Sequence, residues 1–159
     1  MRFGACGLLF RFFKVGFTEK MNIHYTLLDH TADLRIRVSG TDPAELFKNA
    51  GLALFDLITR SDQLRPGEVI EINITGDDPA DLMVNYLREL LYLWTGKEKL
   101  VKMIDIADIS DTAISARVST DRYQPEHHEI LYEIKAVTYH QIEVGRAADG
   151  WQAKVVFDV

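Results

Sequence analysis

Sulfur chemistry is almost missing from this chain. One of its 159 residues is cysteine, Cys6. That excludes an intramolecular disulfide and a cysteine-rich zinc site, and it is compatible with a reducing cytosol, so a cytoplasmic protein is expected. No apolar run approaches the roughly 18 residues of a membrane span, and no membrane association is expected. Low-complexity tracts are absent. So is any Lys/Arg cluster, and the net charge is −6. A protein that grips nucleic acid directly ordinarily carries a basic patch, because neutralised phosphates supply most of the affinity. Strong direct nucleic-acid binding is therefore not expected, and an acidic balance suits cation binding or docking on a basic partner better. The sequence has no phosphate-cradling glycine loop, no Gly-x-Ser-x-Gly, no His-Glu-x-x-His and no paired cysteines. Neither Cys6 nor Ser110 has neighbours that mark a nucleophile. What is present is ordinary for a globular protein: 47% hydrophobic and 26% charged residues, in a length that suits one domain with a real core.

The first 20 residues differ from the rest. Arg2, Arg11 and Lys14 stand among Phe3, Leu8, Leu9, Phe10, Phe12, Phe13 and Phe17. The apolar run 4–10 is short for a signal peptide, is broken by Arg11 and is followed by no small-residue cleavage site. Residues 1–20 are expected to be a poorly ordered extension, and residues 21–159 a single domain.

Beyond Met21, Leu34, Ile36 and Val38 alternate with Arg35, Arg37 and Ser39, the period of a half-buried strand. Asp42, Pro43 and Glu45 then take the N-cap, first-turn and N3 positions of a helix start. Leu46, Phe47, Ala50, Leu54, Leu57 and Ile58 fall on one helical stripe, and the helix should end near Arg60. The phrase returns 36 positions later, from Gly40 to Gly76: Gly76-Asp77-Asp78-Pro79-Ala80-Asp81-Leu82 matches Gly40-Thr41-Asp42-Pro43-Ala44-Glu45-Leu46. Each copy follows an alternating strand, the second carrying Ile70, Ile72 and Ile74, and each precedes an amphipathic helix, the second running to about Trp94. An internal strand–helix duplication explains this, as does convergence on a favourable helix start. Downstream, strands are expected at 103–109, 112–119, 130–139, 142–147 and 151–157, with a hairpin turn at Asp149-Gly150 and a loop at 123–129. The sum is an α+β domain: two helices packed on mostly antiparallel sheets.

Three segments hold candidate chemistry. Asp29-His30-Thr31-Ala32-Asp33 puts two carboxylates and an imidazole within five residues at a strand entrance. Hard cations take such oxygens, but a self-bonded solvated turn has the same composition. The chain ends as a strand, with Trp151, Ala153, Val155 and Phe157 on one face and Asp158 on the other, one residue from the α-carboxylate of Val159. If the last strand lies beside the first, Asp33, Asp158 and that carboxylate converge, and like charges so placed call for a cation or protons. A simple exposed end is the alternative. In Lys135-Ala136-Val137-Thr138-Tyr139-His140, Lys135 would balance such a cluster or contact a phosphate, or these are polar positions of an ordinary strand. His127 and His128 are adjacent, point to opposite faces of any strand, and make a poor metal grip.

Taken together and in this order, these three segments resemble the archease family, as do the helices at 44–58 and 87–94. The likeness spans about residues 23–159. It implies a metal-binding accessory protein, not an enzyme, that activates the GTP-dependent tRNA-splicing RNA ligase by promoting guanylylation of the ligase and multiple turnover. It implies a metal site, for Ca²⁺ or a similar hard ion, at Asp33, Asp158 and the terminal carboxylate of Val159. Lys135 matches a lysine important for activation, and Asp29, His30, Thr138 and His140 take supporting roles. Family members usually have Gly soon after the second Asp of the first segment, whereas this chain has Arg35. Two other classes stay open: a small metal-dependent phosphoesterase using the same carboxylates to activate water, and a chaperone-like partner of a tRNA-modifying methyltransferase.

Overall fold

The computed structural model describes residues 23–29 and 32–159. The extension at 1–20 and the residues His30 and Thr31 lie outside the described residues. Among the described residues, seven strands and two α-helices follow one another as β1 (Tyr25–Asp29), β2 (Asp33–Gly40), α1 (Pro43–Ile58), β3 (Val69–Thr75), α2 (Pro79–Thr95), β4 (Lys99–Ile109), β5 (Ala113–Arg122), β6 (Ala136–Ala147) and β7 (Gly150–Asp158), with a short 3₁₀ turn at Ser61–Gln63. All strand pairs are antiparallel. One sheet has the order β1-β2-β7-β6, the other β3-β5-β4.

The helices lie between the two sheets. In α1 every residue from Asn49 to Phe55 is buried, which a helix needing only one apolar stripe would not show. One flank of α1 packs on β2 and β7 and the other on β4, while α2 packs on β6 and on all three strands of the second sheet. The alternation in β2 therefore points Leu34, Ile36 and Val38 into the core, each at most 1% exposed, and leaves Arg35, Arg37 and Ser39 on the outer face.

The duplicated phrase is a duplicated corner. Asp42 accepts from the Glu45 amide and Asp78 from the Asp81 amide, both at 2.8 Å. Asn49 Nδ2 donates to the carbonyl of Ser39 at 2.9 Å, and Asn85 Nδ2 donates to that of Thr75 at 3.0 Å. A Cβ on Gly40 would sit 2.4 Å from the Leu46 nitrogen, and one on Gly76 2.5 Å from the Leu82 nitrogen. Only glycine lets the strand end fold this tightly onto the first helical turn. The asparagine pair completes the motif at the same offset as Gly40 and Gly76.

Several boundaries differ from the sequence reading. β4 starts at Lys99 rather than 103, because Leu100 and Val101 are buried against the helices. The stretches expected at 130–139 and 142–147 form one strand, β6, which begins only at Ala136 and carries an irregularity between Thr138 and Glu143, where Gln141 has φ 55°. Residues 130–135 form no ladder. They are held at one end by a bridge from Ile130 to Thr59, with Thr59 Oγ1 donating to the Glu129 carbonyl at 2.7 Å and Leu131 N to the Ile58 carbonyl at 2.8 Å, and at the other by the Lys135 amide, which bonds β7. At the β6–β7 turn Ala147 pairs with Gly150. The loop is therefore Ala148-Asp149, and Gly150, at φ 128°, opens the strand. His128 does belong to a loop, and within that loop its side chain is buried. Its Nδ1 accepts the Gln124 amide at 3.0 Å, so the ring proton sits on Nε2 and faces Asp121 Oδ2 at 3.1 Å. That carboxylate also accepts the Arg65 amide.

Candidate metal and docking site

β7 is not an edge strand. It runs between β2 and β6, and this explains why a C-terminal strand ends in tight register rather than fraying. The last strand lies beside β2, the strand that Asp33 opens, with β1 on the far side of β2. In that register Asp33 stands directly opposite Asp158, and Asp158 opposite Ala136 on the other flank. The carbonyl of Asp158 accepts the Lys135 amide at 2.8 Å. Inward-facing Leu34 and Phe157 are 1% and 0% exposed. By alternation they hold Asp33 and Asp158 on the outer face. Three segments far apart in sequence thus meet at one end of the first sheet.

The electrostatics there are unusual. Side chains directly opposed in an antiparallel ladder have Cβ atoms about 5 Å apart, and like charges so placed are destabilising. Among the described residues neither Asp33 nor Asp158 has an ion-pair partner. Two carboxylates so placed are all-oxygen donors of the kind a hard cation takes. Among the described residues no group of three or more His, Cys, Asp or Glu side chains is arranged to hold a metal. A cation here would therefore rest on the two aspartates supplemented by main-chain carbonyls or solvent.

The other sequence candidates fall at graded distances. Lys135 is exposed, on the residue that bonds Asp158. Thr138 lies opposite Val156, two residues from the Asp158 rung, and its Oγ1 donates to the Val156 carbonyl at 3.2 Å. His140 is exposed within the irregular part of β6, four residues from Ala136. Asp29 pairs with Arg35 in the β1–β2 ladder; its side chain is outside the described residues, as is His30. Leu28 and Val159, 42% and 38% exposed, sit at this same end.

One partner group escaped the sequence reading. Tyr139 donates to Asp81 Oδ1 at 2.6 Å, and Arg88 lies 4.6 Å over its ring while donating from Nε to the Val137 carbonyl. The Tyr139 hydroxyl holds the Asp81 carboxyl below its usual range, and that carboxylate in turn raises the Tyr139 hydroxyl. The third motif is thereby tied to α2. The signal available in the sequence was the shared face of Val137 and Tyr139; the partner on α2 required the tertiary fold.

The fold is a two-sheet α+β domain with Asp33 and Asp158 opposed at one strand end, and known proteins share that fold. A model of the Archease protein family matches residues 25–159. The protein archease of Methanosarcina acetivorans is 37% identical over 139 residues, covering 85% of this chain and 95% of that protein. An archease-like protein of Drosophila melanogaster is 31% identical, covering 85% and 90%. The solution structure of Methanobacterium thermoautotrophicum protein 1598 superposes with TM-score 0.70 at 26% identity, over 85% of this chain and 98% of that one. A crystal structure from Thermotoga maritima, described as an archease and possible chaperone, has the same fold, with TM-score 0.58 at 23% identity over 84% and 96%. The chain belongs to the archease family. Among the described residues no helix is long and apolar enough to cross a membrane.

Proposed function

We propose that this protein is a metal-binding accessory factor of the cytoplasm that activates the GTP-dependent tRNA-splicing RNA ligase, promoting guanylylation of the ligase and multiple turnover. The observation that carries the reading is the opposition of Asp33 and Asp158 in the β2–β7 ladder, with Lys135 bonded through its amide to the same residue. Such a pair suits a hard cation, Ca²⁺ first among candidates, which would neutralise like charges otherwise held together. When bound, the ion supplies positive charge at an exposed sheet end. The chain's own residues do the rest: Asp33 and Asp158 hold it, Val159 adds the terminal carboxylate, and the exposed Lys135 presents a second cation to an incoming partner. Exposed Leu28 and Val159 offer apolar surface beside it for docking.

The test is labelling of the cognate ligase with radiolabelled GTP over many turnovers. Substoichiometric wild-type protein should stimulate, and Asp158→Ala or Lys135→Ala should cost at least tenfold while keeping a cooperative unfolding transition. Normal stimulation by both variants would sink the assignment. Phosphoester turnover by the isolated protein, lost in Asp33→Ala, would replace it with a hydrolase. Binding to a tRNA methyltransferase with no ligase effect would replace it with a chaperone-like role.

A further inference from the structure

The outer faces of the two sheets handle charge in opposite ways. On the second sheet the row Glu71–Arg117–Asp105 alternates in sign across three strands, with Arg117 Nε 3.6 Å from Glu71 Oε1. That is the favourable cross-strand pattern. On the first sheet the pattern is broken twice along one pair of strands. Asp33 opposes Asp158, and four residues on Arg37 opposes Lys154. Between these rungs Arg35 opposes Val156, so three cations lie on one face of a chain whose net charge is −6. Arg37 is exposed and, among the described residues, has no ion-pair partner; its other neighbour in the ladder is Thr26. Lys154 meets Glu143 at 3.4 Å, but both side chains are solvated, at 37% and 67% exposure, and such a pair is weak and readily exchanged.

We propose that Arg37 and Lys154, assisted by Arg35, form an anion subsite for the phosphates of a metal-chelated polyphosphate. The cation of that ligand would rest on the Asp33–Asp158 rung, and this part of the inference depends on the cation reading above. The two rungs are about 13 Å apart along the strand. That separation excludes one bare phosphate from serving both and suits a chelated phosphate chain reached by long Arg and Lys stems. Arginine and lysine opposed on a flat strand pair present fork and point-charge donors to the same oxyanion. A like-charged rung that is a fault in an empty sheet becomes complementary once the opposite charge is bound.

The experiment is titration of the full-length protein with inorganic tripolyphosphate, followed by ¹H–¹⁵N correlation spectra, with and without Ca²⁺. The expected result is saturable binding whose largest shifts fall on residues 35–37 and 153–156. Arg37→Gln and Lys154→Gln should each weaken it at least tenfold, and Ca²⁺ should tighten it in the wild type. Asp158→Asn should keep the metal-free affinity and lose only the Ca²⁺ enhancement. If it keeps the enhancement, the cation half fails and the anion subsite stands. Unaltered affinity in both charge-removed variants, or shifts centred on another surface, would overturn the subsite whatever the fate of the metal.

Discussion

Asp158→Asn should move stability in opposite directions with and without metal. In the metal-free protein the variant removes one of two carboxylates opposed across β2 and β7. Like-charged cross-strand pairs cost about 0.2–1 kcal/mol, so the variant should gain up to that amount. The main-chain bond from Lys135 to the Asp158 carbonyl and the ladder are unaffected by the side-chain change. At a domain of this size each kcal/mol moves Tm by about 2–4 °C, so the gain is a few degrees at most. Calcium at a hundred times its Kd should stabilise the wild type by about 2.7 kcal/mol, a rise of roughly 5–10 °C on the same scale. The variant should show little of that rise. Scanning calorimetry in chelator and in excess Ca²⁺ reads both effects on one pair of samples. A variant less stable than wild type in chelator would mean that the opposed carboxylates do not repel as argued. A variant that keeps the full calcium shift would place the cation elsewhere.

Two further outcomes test the packing that supports the site. A Cβ on Gly51 would lie 2.5 Å from Ile104 Cδ1, 2.6 Å from the Tyr86 hydroxyl and 2.8 Å from Leu90 Cδ1. Overpacking of about 1–3 kcal/mol should therefore outweigh the helix-propensity gain of up to about 1 kcal/mol, and Gly51→Ala should lower the urea midpoint. Among the described residues the fully buried Tyr86 hydroxyl has no hydrogen-bond partner. Tyr86→Phe should thus be neutral or stabilising by about 1 kcal/mol, and should rescue part of the Gly51→Ala loss in a double-mutant cycle. Asp81 gives the acid response: its folded pKa is depressed, chiefly by the Tyr139 hydroxyl. Its contribution is fully present above the unfolded carboxylate pKa, near 4, and is lost as pH falls through the folded value. Urea midpoints measured from pH 7 to pH 2.5 should show an acid-sensitive component in the wild type that shrinks in Tyr139→Phe.

Much of this architecture was legible along the chain because it rests on local physics. Alternation in 34–38 is a strand buried on one face, Asp-Pro before an apolar stripe is a capped helix start, and the repetition of that phrase at Gly76 marks a second copy of the same corner. The β6 region was less legible. Residues 130–135 have strand-like composition, but their backbone finds only one bridge, at Thr59, and the ladder forms where β7 is available to pair with it. His128 is the loop residue its surroundings suggest, but its burial against Asp121, Gln124 and Tyr123 depends on how that loop folds back on itself. The candidate site divides in the same way. Asp33, Asp158 and Lys135 stand out as unusual residues at strand ends, since each interrupts an apolar pattern within a few positions. Their meeting depends on β7 entering the sheet between β2 and β6. The opposition of Arg37 to Lys154 needs the register of that pairing, because a slip of one residue would turn every side chain of the strand to the other face. Sequence alone determined which residues face the core and which face water. Tertiary structure decided which outward-facing charges stand across from one another, since strand order is selected by burying Leu34, Val155 and Phe157 against the helices, and the charges on the opposite face are carried into place by that burial.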